Sequence, residues 1–153
     1  MQMPQSLALI YLHVVFSTKH RRPCFHDDAF TDEMYAYLAG ICKKQDCYAK
    51  LVGGYVDHVY LLCSLSRRKT VTDLVRELKT GSTVWIKEKN RELSDFHWQD
   101  GYGVFSVSPS QLEKVKEYIA NQNEHHRTVT FQDEFRKLLK AHDIEFDEKY
   151  VWD

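Results

Sequence analysis

The chain has 153 residues, 43% of them hydrophobic and 28% charged, with a net charge of -1. That length and balance suit one folded domain (residues 1–153) with a real core, and they exclude a disordered chain. No apolar run approaches the about 20 residues a membrane helix needs, and residues 1–5 carry neither the basic stretch nor the apolar core of a secretion signal, so a cytoplasmic protein with no membrane partner is expected.

In chain order, residues 7–17 are β-branched and aromatic and read as a central strand, closed by the basic turn Lys19-His20-Arg21-Arg22 and Pro23. Phe30, Met34, Tyr37, Leu38 and Ile41 then recur at helical spacing within residues 27–44. Residues 48–65, interrupted by Gly53-Gly54 and Asp57, predict two strands joined tightly as a hairpin. A second basic cluster, Arg67-Arg68-Lys69, follows them. Within residues 70–88, Val71, Leu74, Val75, Leu78 and Val84-Trp85 restore the helical period, with Thr70 and Asp73 as an amino-terminal signal. Residues 103–108 predict a last strand. Ser108-Pro109-Ser110-Gln111 predicts a capped start for a helix that would run on through Tyr118 and Gln122 to Arg127. A final helix is expected over residues 131–141. The four cysteines, 24, 42, 47 and 63, contain no Cys-x-x-Cys pair and are expected to be reduced, with Cys63 buried on a strand.

The order β-α-β-β-α-β with extra carboxy-terminal helices predicts an α+β, ferredoxin-like (RRM-like) fold, an antiparallel sheet covered by helices on one face. Such a fold hosts many functions and selects none. The net charge does not advertise a nucleic-acid partner, but the two basic clusters would contact phosphates if they met on one face.

Four residues bear on the chemistry. His58 and Tyr60 lie two apart on a strand and so share a face, whereas Asp57 is expected to point to the other. A histidine pair in that arrangement grips a divalent metal, but position 60 is a tyrosine, whose neutral phenol is a poor ligand. Tyr118 and Gln122 are four apart on the predicted helix and point the same way. A phenol becomes a nucleophile toward a phosphodiester when a metal polarises the phosphate, and a glutamine oxygen suits a hard ion such as Mg²⁺ or Mn²⁺.

These residues sit in blocks that resemble the single-tyrosine transposases of the HUH superfamily, of the insertion-sequence and repeat-associated kind. The blocks are residues 13–23, Gly53-Gly54-Tyr55-Val56-Asp57-His58-Val59-Tyr60-Leu61-Leu62, residues 73–79, residues 106–110 and Tyr118-Ile119-Ala120-Asn121-Gln122-Asn123-Glu124-His125-His126-Arg127. The resemblance implies Tyr118 as nucleophile, with His58 and Gln122 as ligands of Mg²⁺ or Mn²⁺. Tyr60 stands where the second metal histidine should be. It further implies a homodimer that nicks and rejoins single-stranded or hairpin DNA through a 5′-phosphotyrosine, with no nucleotide cofactor. Lys19, Arg21, Arg22, Arg67 and Arg68 become candidate phosphate contacts. His13, His97, His125 and His126 are the histidines able to replace the missing ligand from elsewhere. Two other readings remain: a hairpin-DNA-binding relative with impaired or lost catalysis, and an RNA-binding regulator using the same sheet.

Overall fold

The computed structural model describes residues 6–125 and 129–153. Four strands, β1 (Tyr11–Ser17), β2 (Ala49–Tyr55), β3 (His58–Ser64) and β4 (Gly103–Val107), form one sheet in the order β2-β3-β1-β4. Each neighbouring pair is antiparallel. Helices α1 (Asp28–Lys44) and α2 (Val71–Lys89) are the two crossovers, which is the ferredoxin-like α+β arrangement expected. Three further helices, α3 (Leu112–Ala120), the single turn α4 (Gln122–His125) and α5 (Phe131–Ala141), complete the described chain. None of the described helices is long and apolar enough to cross a membrane.

Local chemistry accounts for most of the helix starts. Asp27 accepts from the Phe30 amide at 3.2 Å and Thr70 from the Asp73 amide at 3.0 Å, so each satisfies one orphan donor. Thr130 does the same for α5 through the Asp133 amide at 3.2 Å. The start expected at Ser108 is built differently. Pro109–Gln111 form a 3-10 turn, the Ser108 hydroxyl faces Ser110 at 3.1 Å rather than a backbone amide, and the α-helix begins at Leu112.

The first strand is shorter than the apolar run suggests. Its ladder partners end at Ser64 and Val107, both opposite Tyr11; the Ile10 carbonyl still accepts from the Leu65 amide at 2.8 Å, but residues 7–9 lie beyond the ladder, and Leu7 and Leu9 stay 81% and 65% exposed. The sheet is also covered on both faces rather than one. Leu12, Val14 and Phe16 of β1 and Val59, Leu61 and Cys63 of β3 pack against Met34 and Leu38 of α1 and Leu74 and Leu78 of α2. The alternate residues Val15, Tyr60 and Leu62 turn the other way, onto Ile119 of α3 and Phe131, Phe135 and Leu139 of α5. Both central strands are therefore apolar on both sides, as the near-continuous burial of β1 and β3 reflects. All four cysteines are free, with Cys63 buried on β3 as expected.

Gly53 sets how closely α3 lies on the sheet. A Cβ there would stand 2.7 Å from Ile119 Cγ2 and 3.0 Å from the Ile119 carbonyl oxygen, so only a bare backbone admits the helix at this distance. Ile119 directly follows Tyr118, and the close approach thus fixes the height of that tyrosine over β3. Gly53→Ala is expected to cost about 1–3 kcal/mol by overpacking. Urea unfolding measures it, and an unchanged midpoint would mean that α3 is not held against β2.

Candidate active site

The site is assembled at one end of the sheet, where β3 leaves its hairpin and α3 crosses above it. His58 is fully buried at the start of β3, opposite Ser17 of β1. Its Nδ1 lies 2.7 Å from Asp57 Oδ1. Asp57 was expected on the opposite face, but it lies in the two-residue turn before β3, where strand alternation does not apply, and its carboxylate returns to the His58 ring. A carboxylate on one imidazole nitrogen fixes the tautomer and turns the lone pair of the other outward.

That other nitrogen, Nε2, faces Gln122 Oε1 at 3.2 Å. The Gln122 amide is oriented by its own Nε2 donating to the Tyr118 carbonyl at 2.9 Å. Tyr118 and Gln122 are not on one helix, however. α3 stops at Ala120, Asn121 takes φ -98° and ψ 19°, and Gln122 opens the single turn α4. The expected continuous helix ran on to residues 126 and 127, which lie outside the described residues. The break leaves the Gln122 side chain 1% exposed and aimed at β3.

Tyr60, two residues along β3, is not turned toward His58 and Gln122 as a ligand. Its hydroxyl donates to Glu134 Oε1, and the Tyr118 hydroxyl donates to the same oxygen. The second carboxylate oxygen lies 3.2 Å from His125 Nε2. Burial, followed by the adjacent Glu134 charge, holds the Tyr60 phenol well above its ordinary range, so it is protonated at neutral pH. Burial likewise raises Glu134 to about 7, with the hydrogen bond from Tyr60 pulling the other way. The rings form two stacked pairs joined by a tilted contact: Tyr60 and Tyr118 are 5.9 Å apart at 20°, Phe131 lies on His58 at 4.6 Å and 22°, and His58 meets Tyr60 at 4.9 Å and 52°.

Sequence reasoning missed Glu134. The signal was present in the apolar stripe of α5, where Phe131, Phe135, Leu138 and Leu139 surround position 134 at helical spacing. An acid inside such a stripe is either at its solvent edge or bonded in the interior. At 3% exposure Glu134 is interior.

The other expected residues divide sharply. His13 is buried beside the site, its ring 5.0 Å from Tyr60, and burial lowers it to about 4, so it is neutral. His97 lies elsewhere, lining a pocket with Lys19 and Arg22, and His126 lies outside the described residues. The two basic clusters do not meet. Lys19, Arg21 and Arg22 follow Ser17, at the His58 end of the sheet. Arg67 and Arg68 follow Ser64, opposite Tyr11, a strand length of about 20 Å away. Lys19 is paired with Asp100 at 3.5 Å and Arg22 with Asp95 at 2.9 Å, and Arg21 lies over Trp152 at 5.8 Å. The Arg67 guanidinium donates to the Ser6 carbonyl at 3.1 Å.

Among the described residues no group of three His, Cys, Asp or Glu side chains is gathered to hold a metal ion. A two-point donor set is nonetheless present. Asp57 lies against Nδ1 of His58, and Nε2 faces the Gln122 oxygen at 3.2 Å, a hydrogen-bond distance whose donor depends on the ring's tautomer. Adjacent ligands of an octahedral ion with bonds of about 2.1 Å stand about 3.0 Å apart, close to that spacing. A cavity of about 460 Å³ lies against the Tyr118 phenol, lined by His13, Tyr118, His125, Glu134, Lys114 and Lys137, and neither His58 nor Gln122 is part of its wall.

The family model described as "Transposase IS200 like" matches residues 6–122. The fold is similar to that of a candidate transposase from Deinococcus radiodurans R1, at 21% identity and a TM-score of 0.61, covering 80% of this chain and 97% of that one. It is also similar to a REP-associated tyrosine transposase bound to a REP hairpin, at 11% identity and a TM-score of 0.60, covering 84% and 76%. None of the curated proteins matches. With the family model spanning most of its length, over the sheet, the His58 strand and the Tyr118 helix, the chain belongs to the IS200-like transposases.

Proposed function

We propose that this transposase cuts and rejoins single-stranded DNA through Tyr118. The observation that carries the reading is the position of the Tyr118 phenol. It is partly buried on the wall of a cavity that also holds Lys114 and Lys137, one residue from the Gly53 contact, and its ring lies 5.9 Å from that of Tyr60. A phosphodiester entering that cavity meets a hydroxyl nucleophile and two ammonium groups that oppose its charge. Attack by the Tyr118 oxygen forms a 5′-phosphotyrosine and releases a 3′-hydroxyl, and reversal of the step joins a new 3′-end.

His58 and Gln122 would hold a divalent ion, with Asp57 fixing the His58 tautomer and water completing the shell. Mg²⁺ commonly takes only one or two protein ligands, so two suffice. When bound, such an ion supplies Lewis-acid polarisation of the phosphate. Tyr60 takes no part as a ligand in this reading, since its hydroxyl is engaged by Glu134. The partner is single-stranded or hairpin DNA, with Lys19, Arg21 and Arg22 as phosphate contacts on the site's own end of the sheet. Arg67 and Arg68 stand too far away to share them.

A second reading, a hairpin-binding relative whose cleavage is impaired, is favoured by one observation: the position of the second metal histidine carries a protonated phenol bonded to Glu134. The two readings separate on a denaturing gel. Tyr118→Phe is expected to remove a Mn²⁺-dependent covalent adduct with labelled hairpin DNA while leaving affinity within a few-fold. An adduct that survives the change rules out Tyr118, and a wild-type chain that shifts the hairpin without forming an adduct supports the second reading.

Tyr60→His restores an imidazole lone pair beside His58 and is expected to tighten Mn²⁺ binding at least about tenfold by calorimetry. No change would place the ion away from β3. Arg22→Ala is expected to weaken hairpin binding and to lower the salt slope by about one per lost contact. Arg67→Ala should leave that slope unaltered if the phosphates run along the His58 end.

A further inference from the structure

The carboxylate of Glu134 lies outside the segment matched by the family model, on a helix that begins nine residues beyond it, yet it touches the one hydroxyl on which the proposed chemistry depends. We propose that Glu134 is a catalytic residue that accepts the phenolic proton of Tyr118 during strand cleavage and returns it during rejoining. This rests on the reading of Tyr118 as the nucleophile.

Three observations carry it. The Tyr118 hydroxyl donates to Glu134 Oε1, so the acceptor is already on the proton to be moved, as a general base must be. Glu134 is 3% exposed and held from three other elements, by Tyr60 of β3, Tyr118 of α3 and His125 of α4, so its position is fixed before substrate arrives. Tyr118 and Glu134 also line the same cavity, which gives a phosphodiester access to the phenol.

The step balances without any further reactant. In cleavage the Tyr118 O–H proton passes to the Glu134 carboxylate, the phenolic oxygen bonds to phosphorus, and the bond from phosphorus to the 3′-oxygen breaks. That oxygen takes a proton from water. In rejoining, a 3′-hydroxyl attacks the phosphotyrosine and gives its proton to water, while the Glu134 carboxylic acid reprotonates the departing Tyr118 oxygen. One group thus serves as base in one direction and acid in the other, which is most efficient when its proton affinity is close to the working pH. Burial places Glu134 at about 7.

Of the described residues, the titratable groups around Glu134 are Tyr60 on β3, His13 on β1, Tyr118 and Lys114 on α3, His125 on α4, and Asp133 and Lys137 on its own helix. Asp57 in the β2–β3 turn acts on it through its charge. Tyr60 is protonated and His13 neutral across the neutral range, so neither titrates with it.

The experiment is a single-turnover measurement of adduct formation on a single-stranded oligonucleotide carrying the hairpin from the gene's own flank. It is run in Mn²⁺ between pH 5.5 and 8.5 on the full chain, Glu134→Gln and Tyr118→Phe. The wild-type rate is expected to fall as pH drops through about 7, because the protonated acid cannot accept the phenol's proton. Glu134→Gln keeps the shape and a hydrogen-bonding partner. It should slow cleavage by about a hundredfold or more, flatten that acidic limb and slow rejoining in parallel. Calorimetric Mn²⁺ affinity and hairpin affinity should stay within about twofold. A Glu134→Gln rate equal to wild type overturns the proposal while leaving Tyr118 in place. So does a slower rate with the acidic limb intact, which is a structural role, or a loss of Mn²⁺ binding, which is a ligand role. Absence of any adduct from the wild-type chain overturns the nucleophile reading and this proposal together.

Discussion

A carboxylate taken out of water must find hydrogen-bond donors or give up its charge, and this chain meets that demand at Glu134 by convergence of four elements. Two phenols, from β3 and α3, donate to one oxygen of a side chain on α5, and the His125 imidazole of α4 stands 3.2 Å from the other. Among the described residues no backbone hydrogen bond ties β3 or α5 to the other elements of this cluster. The polar cluster therefore fixes their relative positions more sharply than the surrounding apolar packing, which tolerates sliding. The same burial keeps the carboxyl near its half-protonated point at neutral pH. One side chain thus orders the site and leaves a proton-exchanging group against Tyr118.

The arrangement is possible because the sheet has two covered faces. Val14 and Phe16 of β1 point to α1 and α2, whereas His13 and Val15 point to the carboxy-terminal helices, and β3 alternates in register through Val59 and Tyr60. An open face would leave His58 and Tyr60 in water, where a phenol–carboxylate hydrogen bond contributes little and a glutamine amide has no fixed orientation. Covering that face with α3 and α5 lowers the local dielectric and holds Gln122 against His58. Gly53 is the steric condition for the cover, since a side chain there would lift Ile119 and with it Tyr118.

Much of this was legible from residue types alone, and each shortfall has a physical cause. Periodicity placed α1, α2 and α5 within a residue or so of their observed bounds, because apolar stripes and Thr or Asp caps act locally. Strand β1 was read four residues too long, since the length of a strand is set by its partners and not by its own composition. Asp57 was put on the wrong face by applying pleat alternation to a turn. The Tyr118–Gln122 spacing was right and the continuous helix wrong. The break at Asn121 lets the Gln122 amide donate back to the Tyr118 carbonyl, a contact that an i,i+4 pattern does not foretell. The two basic clusters look equivalent in sequence, because each follows a strand. Antiparallel pairing of β1 and β3 sends them to opposite ends. Glu134 was hidden for the opposite reason: its helix was found, but amphipathic spacing does not say whether an acid at the stripe is wetted or bonded.

Position 60 explains why α5 belongs to the site at all. An imidazole there offers a lone pair to a cation, and the cation supplies the counter-charge. A tyrosine offers an O–H from a longer side chain, reaching beyond the place an imidazole nitrogen would occupy, so the polarity at that point is inverted from acceptor to donor. A buried donor requires an acceptor, and the first element it meets is α5, which presents a carboxylate there and nowhere else along its apolar stripe. The substitution on β3 and the acid on α5 are therefore complementary. Either one alone would leave a buried polar group to satisfy, at about 1–3 kcal/mol. Together they form a hydrogen bond whose acceptor oxygen also takes the Tyr118 hydroxyl.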